Sequence, residues 1–389
     1  MTDVQVARGR RAGRRWWRQG SSRSPRILLL AGFVLCVAAV IAIVAHGVTG
    51  APTTQTAAAP LPLNGRWVPT PLQDQITALL HEPGQPSVLL AAATSGVWRS
   101  ADAGATWQPD GTGVRNNPVF VLADTATSQD VWAGSFDGSV YVRESAAGQQ
   151  AAWRRISPVL LTNPQIGAIP VYSLAVSPQQ GHPLLTGSLG AIFRAEPSAN
   201  GRTWRWQRVW RWQPPAHSNL GDGAITSLVV APWNAQIVFA SVFQATPSVL
   251  ISHDGGHSWA PDPSGPPAIL PSQDLIAGDQ QARQVFLTTM GGGVWQREAD
   301  GRWQDISAGL PQRHAMPLLA TGPAASGVLY AGTMGLGVYE KQQSAPWRHL
   351  GQGLNSSATI VMSLAETPGP HPLLLAGTTH GVYRYKTGG

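Results

Sequence analysis

Two eight-residue stretches gather the kinds of side chain from which sites are built. Residues 100–107 read Ser-x-Asp-x-Gly-x-Thr-Trp through Ser100, Asp102, Gly104, Thr106 and Trp107; residues 252–259 repeat the pattern through Ser252, Asp254, Gly256, Ser258 and Trp259. An acid, two hydroxyls and an indole in so short a span are where function would first be sought. Each stretch nevertheless follows a short apolar run, and that order predicts a strand, a tight turn and a second strand opening on the Trp. The Asp carboxylate accepts hydrogen bonds from backbone N–H groups just ahead of it, and Gly supplies the positive φ that a tight turn needs. The chemistry these residues carry is that of a structural staple.

Other constellations lead no further toward catalysis. His253 and His257 have helical ligand spacing but fall in a Gly-rich hairpin, where residues four apart need not share a face, and no cysteine or second His pair is available to complete four ligands. There is no Gly-x-Ser-x-Gly elbow, and Gly291-Gly292-Gly293 runs into a strand instead of a helix, so it builds no phosphate cradle. Asp74, Asp137, Asp222 and Asp274 are acids expected near a central face, but their spacing does not imply a carboxylate pair of the kind that cleaves glycosides. No catalytic residue, metal or cofactor is therefore expected.

One segment stands apart. Trp204, Trp206, Trp210 and Trp212 recur with period two, which places them on one face of a strand, with Arg205 and Arg211 on the other. Packing against a neighbouring sheet is one explanation. Recognition is the other, since Trp and Arg are the residues binding hot spots favour. Trp206, Arg208, Trp210, Arg211 and Trp212, with Asp222 in the adjoining loop, are the candidate binding residues.

The rest of the chain must position these groups. It has 389 residues, 43 Gly and 32 Pro, yet only 12% are charged, which fits a compact, turn-rich all-β protein. The formal net charge of +7 suggests a nucleic-acid binder until it is located: residues 1–26 hold eight Arg and one acid, leaving nineteen basic and nineteen acidic residues elsewhere. A neutral remainder lacks the basic footprint that phosphate binding requires.

Beside the arginines, residues 27–45 contain no charge, and about 20 apolar residues span a bilayer as a helix. The apolar region of a cleaved signal peptide is shorter, about 7 to 15 residues. Val48-Thr49-Gly50 is at best a weak cleavage site, so an uncleaved anchor is expected. Basic flanks stay in the cytoplasm, which places the chain from residue 50 onward outside. The expected organisation is a cytoplasmic Arg-rich tail (1–26), a transmembrane helix (27–48), an Ala/Pro/Thr-rich linker (49–64) and one domain (65–389). The single cysteine, Cys36, lies in the span, so the exported part has no disulfide and must be held by packing.

Repeats set the architecture of that domain. Trp falls at 67, 107, 153, 204, 259, 303 and 347, at intervals of 40 to 55 residues, and three apolar runs separate successive copies. Four strands per repeat of about 45 residues describe a β-propeller blade. The last repeat stops at Tyr383-Arg384-Tyr385 without a Trp, whereas Gly65-Arg66-Trp67 aligns with Gly301-Arg302-Trp303. A seven-bladed propeller is expected, with Trp67 opening the outer strand of the seventh blade so that both ends of the domain share one sheet.

The Ser-x-Asp-x-Gly-x-Thr-Trp element resembles the Asp-box of Asp-box (BNR) repeat β-propellers, a set that includes sialidases, sortilin-type receptors, xyloglucan-cleaving glycosidases and photosystem II assembly factors. The resemblance covers residues 65–385. Residues 200–204 keep Gly and Thr but place Ala199 where the Asp would stand, and residues 298–303 are one shorter. In such proteins the box lies on a peripheral turn, away from the face that binds ligands. The Arg-Ile-Pro signature of sialidases is absent. These features lead to the expectation of a single-pass membrane protein, its propeller extracytoplasmic, acting as a non-catalytic scaffold for a protein partner. The alternative is a carbohydrate-active enzyme or glycan-binding lectin.

Overall fold

The computed structural model describes residues 43–44 and 64–386, apart from 111, 126, 144–151, 165–166, 180, 214–222, 244–247, 267–271, 279–282, 312–317, 322–327, 343, 355–358 and 368–371. Two compact units divide the chain, 1–38 and 39–389, and the described residues belong to the second. They form seven blades of four antiparallel strands; Ile43–Val44 adds to blade two as a fifth, parallel strand, and Thr162–Asn163 pairs with Gly167–Ala168 in a separate two-stranded sheet. Blade one comprises Ile76–Glu82, Gln85–Ala93, Gly96–Ser100 and Gln108–Pro109, and each later blade repeats this inner-to-outer order. Blade two begins at Val119–Ala123, three at Ser173–Val176, four at Ala224–Val230, five at Ser272–Ala277, six at Leu318–Thr321 and seven at Val361–Glu366.

The inner and second strands read as continuous apolar or small-residue runs because both of their faces are covered by neighbouring blades. Val119–Ala123, Val131–Ser135 and Leu184–Ser188 are buried throughout. The fit between blades is close. Gly377, in the second strand of blade seven, faces Ile76 of blade one, and a Cβ there would lie 2.6 Å from Ile76 Cγ2. Gly377→Ala is therefore expected to destabilise the protein by about 1–3 kcal/mol through overpacking, as read by denaturant unfolding.

The expected closure is observed. Arg66–Pro69 is the outer strand of blade seven, with Trp67 opposite Tyr385 and Val68 opposite Arg384. Trp67 is buried, its ring meets Tyr385 edge-on at 5.3 Å, and its Nε1 donates to the Leu350 carbonyl of blade six at 2.9 Å. The Trp67 backbone N–H donates to Gln352 O at 2.7 Å, and Gly65 N–H donates to the Tyr385 hydroxyl at 2.9 Å.

The transmembrane helix expected over 27–48 lies outside the described residues except for Ile43–Val44. There the backbone is a two-residue strand, parallel to Val121 and Leu122 of blade two, instead of a helix. Among the described residues no helix is long and apolar enough to cross a membrane.

Candidate functional site

The two staples do what their residues dictate. In blade one, Asp102 Oδ1 accepts from Thr106 N at 2.8 Å and from Ser100 Oγ at 2.8 Å, while Ser100 Oγ accepts from Gly104 N at 2.8 Å. Asp254 repeats the set in blade four with Ser258 N at 2.9 Å, Ser252 Oγ at 2.8 Å and Gly256 N on Ser252 Oγ at 2.8 Å. Gly104 has φ +81°, and a Cβ there would lie 2.5 Å from Leu375 Cδ2, so the turn presses its backbone on blade seven.

Desolvation raises the Asp102 pKa, but the bonds from Thr106 and Ser100 outweigh it and hold the group at about 2. A carboxylate depressed in the folded state adds stability above its unfolded value, near 4, and loses it as pH falls toward 2. Asp102→Ala is expected to cost about 1 kcal/mol, the low end for a lost backbone bond because the turn is exposed. The deficit should shrink as pH falls below about 4 and be lost only below about pH 2 in acid-unfolding curves compared with wild type.

Two of the four acids expected at the central face, Asp74 and Asp137, are tied up in turns. Asp74 accepts from Thr94 Oγ1, Ser95 Oγ, Ser95 N and Gln75 N. Asp137 accepts from Ser135 Oγ, Ser139 N and Tyr141 Oη. Asp274 is buried beside Ser227 Oγ at 3.2 Å. Asp222 lies outside the described residues. His257 Nδ1 approaches its own turn, at 2.6 Å from Asp254 O, and no metal-holding cluster occurs among the described residues.

Blade three departs from the single-face expectation for its tryptophans. Its outer strand, Trp204–Arg211, is bulged: Arg208 pairs with Phe193 and Trp210 with Ile192, leaving Val209 extra. One extra residue reverses the alternation of side chains beyond it. Trp206 therefore faces blade two, where its Nε1 donates to the Ile156 carbonyl at 3.1 Å. Trp210 and Trp212 face blade four and pack with Ile225, Leu228 and Ala240.

Five blade junctions share an indole contact that clarifies this register. The Nε1 atoms of Trp153, Trp206, Trp303, Trp347 and Trp67 each reach the residue three beyond the preceding blade's own Trp: Asp110, Ile156, Asp262, Ile306 and Leu350. In blade three the in-phase residue is Trp206, opposite Ala195, and Trp204 lies one pleat further out. The turn also moves outward, and Asn200 stands in the Asp position assigned to Ala199 by sequence. Asn200 Oδ1 accepts from Arg202 N at 2.9 Å, as Asp300 Oδ1 does at 3.0 Å in blade five.

The polar half of the candidate set remains outside. Arg202, Arg205, Gln207, Arg208 and Arg211 are exposed, whereas Trp204, Trp206 and Trp210 are half-buried and Trp212 is buried. Arg205 pairs with Glu196, which also binds Arg194 and stands 3.9 Å from His257 Nε2. Those bonds hold the Glu196 carboxyl below its ordinary range. Arg154 of blade two donates to the Arg202 carbonyl at 3.1 Å, which brings another cation to the same rim.

Sequence reading missed the buried ion network between blades one and two. Arg143 bridges Glu82 at 3.0 Å and Asp110 at 2.8 Å, and Arg99 meets Glu82 at 2.8 Å. Blades four and five hold a smaller version, Arg297 on Asp262 at 2.9 Å. The available signal was the repeated Trp-x-Pro-Asp of residues 107–110 and 259–262.

This ring of staples and indole contacts defines a seven-bladed β-propeller. Solved structures share it. The chain is similar to an ancestral GH74 enzyme (TM-score 0.60, 18% identity, 85% of this chain and 46% of that one). It is also similar to YCF48 bound to D1 peptide (0.58, 11%, 86% and 98%). A third likeness is to the extracellular domain of BT4673 from B. thetaiotaomicron (0.57, 14%, 82% and 39%). The chain thus spans less than half of the first and third of these. At such identities the likeness establishes the fold. No family model and no curated protein matches the chain.

Proposed function

We propose that this protein is a membrane-anchored, extracytoplasmic propeller that binds a protein partner and carries out no catalysis, of the Asp-box kind its two staples resemble. The observation that carries the reading is the outer strand of blade three, which turns its indoles inward and leaves Arg205, Gln207, Arg208 and Arg211 in solvent. The planar guanidinium fork of each arginine loses less freedom per hydrogen bond formed than a lysine would when it engages a partner. YCF48 bound to D1 peptide gives a precedent for a propeller of this fold holding a polypeptide. The uncharged sequence at 27–45 behind eight arginines is the support for the anchor and its orientation, with its Ile43–Val44 end taken up as a strand on blade two. The GH74 likeness gives an enzymatic reading less support, because Asp74 and Asp137 spend their oxygens on turns.

A photo-crosslinking residue at Gln207 of the full-length protein tests the reading in cells. One predominant crosslinked protein is expected. It should disappear in Arg208→Glu/Arg211→Glu at unchanged melting temperature. Crosslinks spread over unrelated proteins, or indifferent to the charge reversal, would refute it.

A further inference from the structure

Outer edges of sheets invite pairing, and six of the seven blades here blunt theirs. Their outer strands, Arg66–Pro69, Gln108–Pro109, Trp153–Arg155, Ala260–Pro261, Trp303–Asp305 and Arg348–His349, have two to four residues, and three end in Pro, which cannot donate to a ladder. Blade three keeps eight residues, Trp204–Arg211, with no Pro, and among the described residues no strand lies beyond it. The first five, Trp204 to Arg208, precede the bulge and form a regular edge of about 17 Å at the usual rise per residue.

The charge along that edge has one sign. Arg208 pairs with Phe193 and Arg211 with Ala191, so both share a sheet face with Trp206, opposite Ala195. Arg202 sits at the adjoining turn. None of these three arginines has a carboxylate partner among the described residues, unlike Arg99, Arg143, Arg194, Arg205 and Arg297. Outside residues 1–26 the chain is neutral, so this concentration is local.

Resting on the partner-binding reading, we infer that an extended acidic segment of the partner adds to blade three as a fifth strand. Its backbone pairs with Trp204 to Arg208, and its carboxylates meet Arg202, Arg208 and Arg211. Strand addition supplies affinity through main-chain bonds, and the alternating side chains supply selectivity. A second copy of this edge is disfavoured, because it would bring a second set of Arg202, Arg205, Arg208 and Arg211 close to the first and adds no carboxylate to answer Arg202, Arg208 and Arg211. A lipid headgroup phosphate would accept from the edge N–H groups but has no donor in register for the C=O groups.

The test titrates full-length protein with a fluorescent Glu-Val-Glu-Val-Glu-Val peptide by anisotropy. Compared with it are the peptide N-methylated at alternate residues, a Lys-Val counterpart, and phosphatidylserine vesicles in a sedimentation assay. The acidic peptide should bind and the Lys-Val peptide should not. N-methylation should weaken binding about tenfold by removing ladder donors, and Arg208→Glu/Arg211→Glu by about tenfold or more. Equal binding of the N-methylated peptide overturns strand addition, as does sedimentation with vesicles without peptide binding, or no binding of any probe. If strand addition fails while charge reversal still abolishes crosslinking at Gln207, the partner-binding reading stands alone. If charge reversal changes neither, both fall.

Discussion

Trp67→Ala is expected to destabilise the propeller by about 3–5 kcal/mol, the range for truncating a large buried aromatic. A chain beginning at Leu72 should melt more than about 10 °C below one beginning at Pro60. The reason is that Trp67 serves two blades at once. Its ring meets Tyr385 and lies in one buried cluster with Leu364 of blade seven and Tyr330 and Leu350 of blade six, and its Nε1 satisfies the Leu350 carbonyl. Removing the strand uncovers that cluster and unpairs the Tyr383–Lys386 edge together with Gln352 N–H and O. Differential scanning calorimetry of the two chains decides the matter. Equal melting temperatures would mean that the ring does not depend on its clasp.

Arg143→Met should cost a comparable amount, about 3–5 kcal/mol, because it removes the cation two buried carboxylates share and leaves Glu82 with Arg99 and Asp110 with the Trp153 indole. The Arg143 and Glu82 side chains are 7% and 6% exposed, so water cannot replace the lost partner. Burial pushes the Asp110 pKa up, opposed by Arg143. For a carboxyl raised in the folded state, folding is favoured most below the unfolded pKa and loses that advantage as pH rises through the folded value. Without Arg143 the rise is larger, so the variant's deficit should be greatest at neutral pH and shrink as the solution is acidified. Urea unfolding at pH 7 and pH 5 reads this out. A deficit independent of pH would assign the loss to packing. Asp262 makes a useful contrast: burial raises it too, but Ser264, Trp303 and Arg297 together bring it below its ordinary value.

Much of this architecture was legible because the four-strand pattern of a blade recurs seven times. The alignment of Gly65-Arg66-Trp67 with Gly301-Arg302-Trp303 was enough to place the clasp, since strand order within a blade leaves one vacancy at the end of the chain. The staples at Asp102 and Asp254 were legible for a different reason: all their partners lie within four residues. What escaped was non-local or depended on parity. Nothing in the sequence shows that Val209 is surplus, so four tryptophans at even spacing read as one face when they are two. Arg143, Glu82 and Asp110 lie on separate strands of two blades, and only the fold brings them together. Trp206 was a candidate for recognition and proves to be the in-phase indole of its junction, so the arginines around it carry the binding proposal.

The pairing of Arg66 with Lys386 has a mechanical consequence. In an antiparallel pair whose chain ends leave from the same side, a load between residue 65 and residue 387 opens the ladder one hydrogen bond at a time. The same strands pulled along their length would have to break together. A tether at the N-terminal end working against a load at the C-terminus would therefore peel the clasp like a zipper at low force. Blade seven would yield first, leaving the other six strand sets momentarily intact.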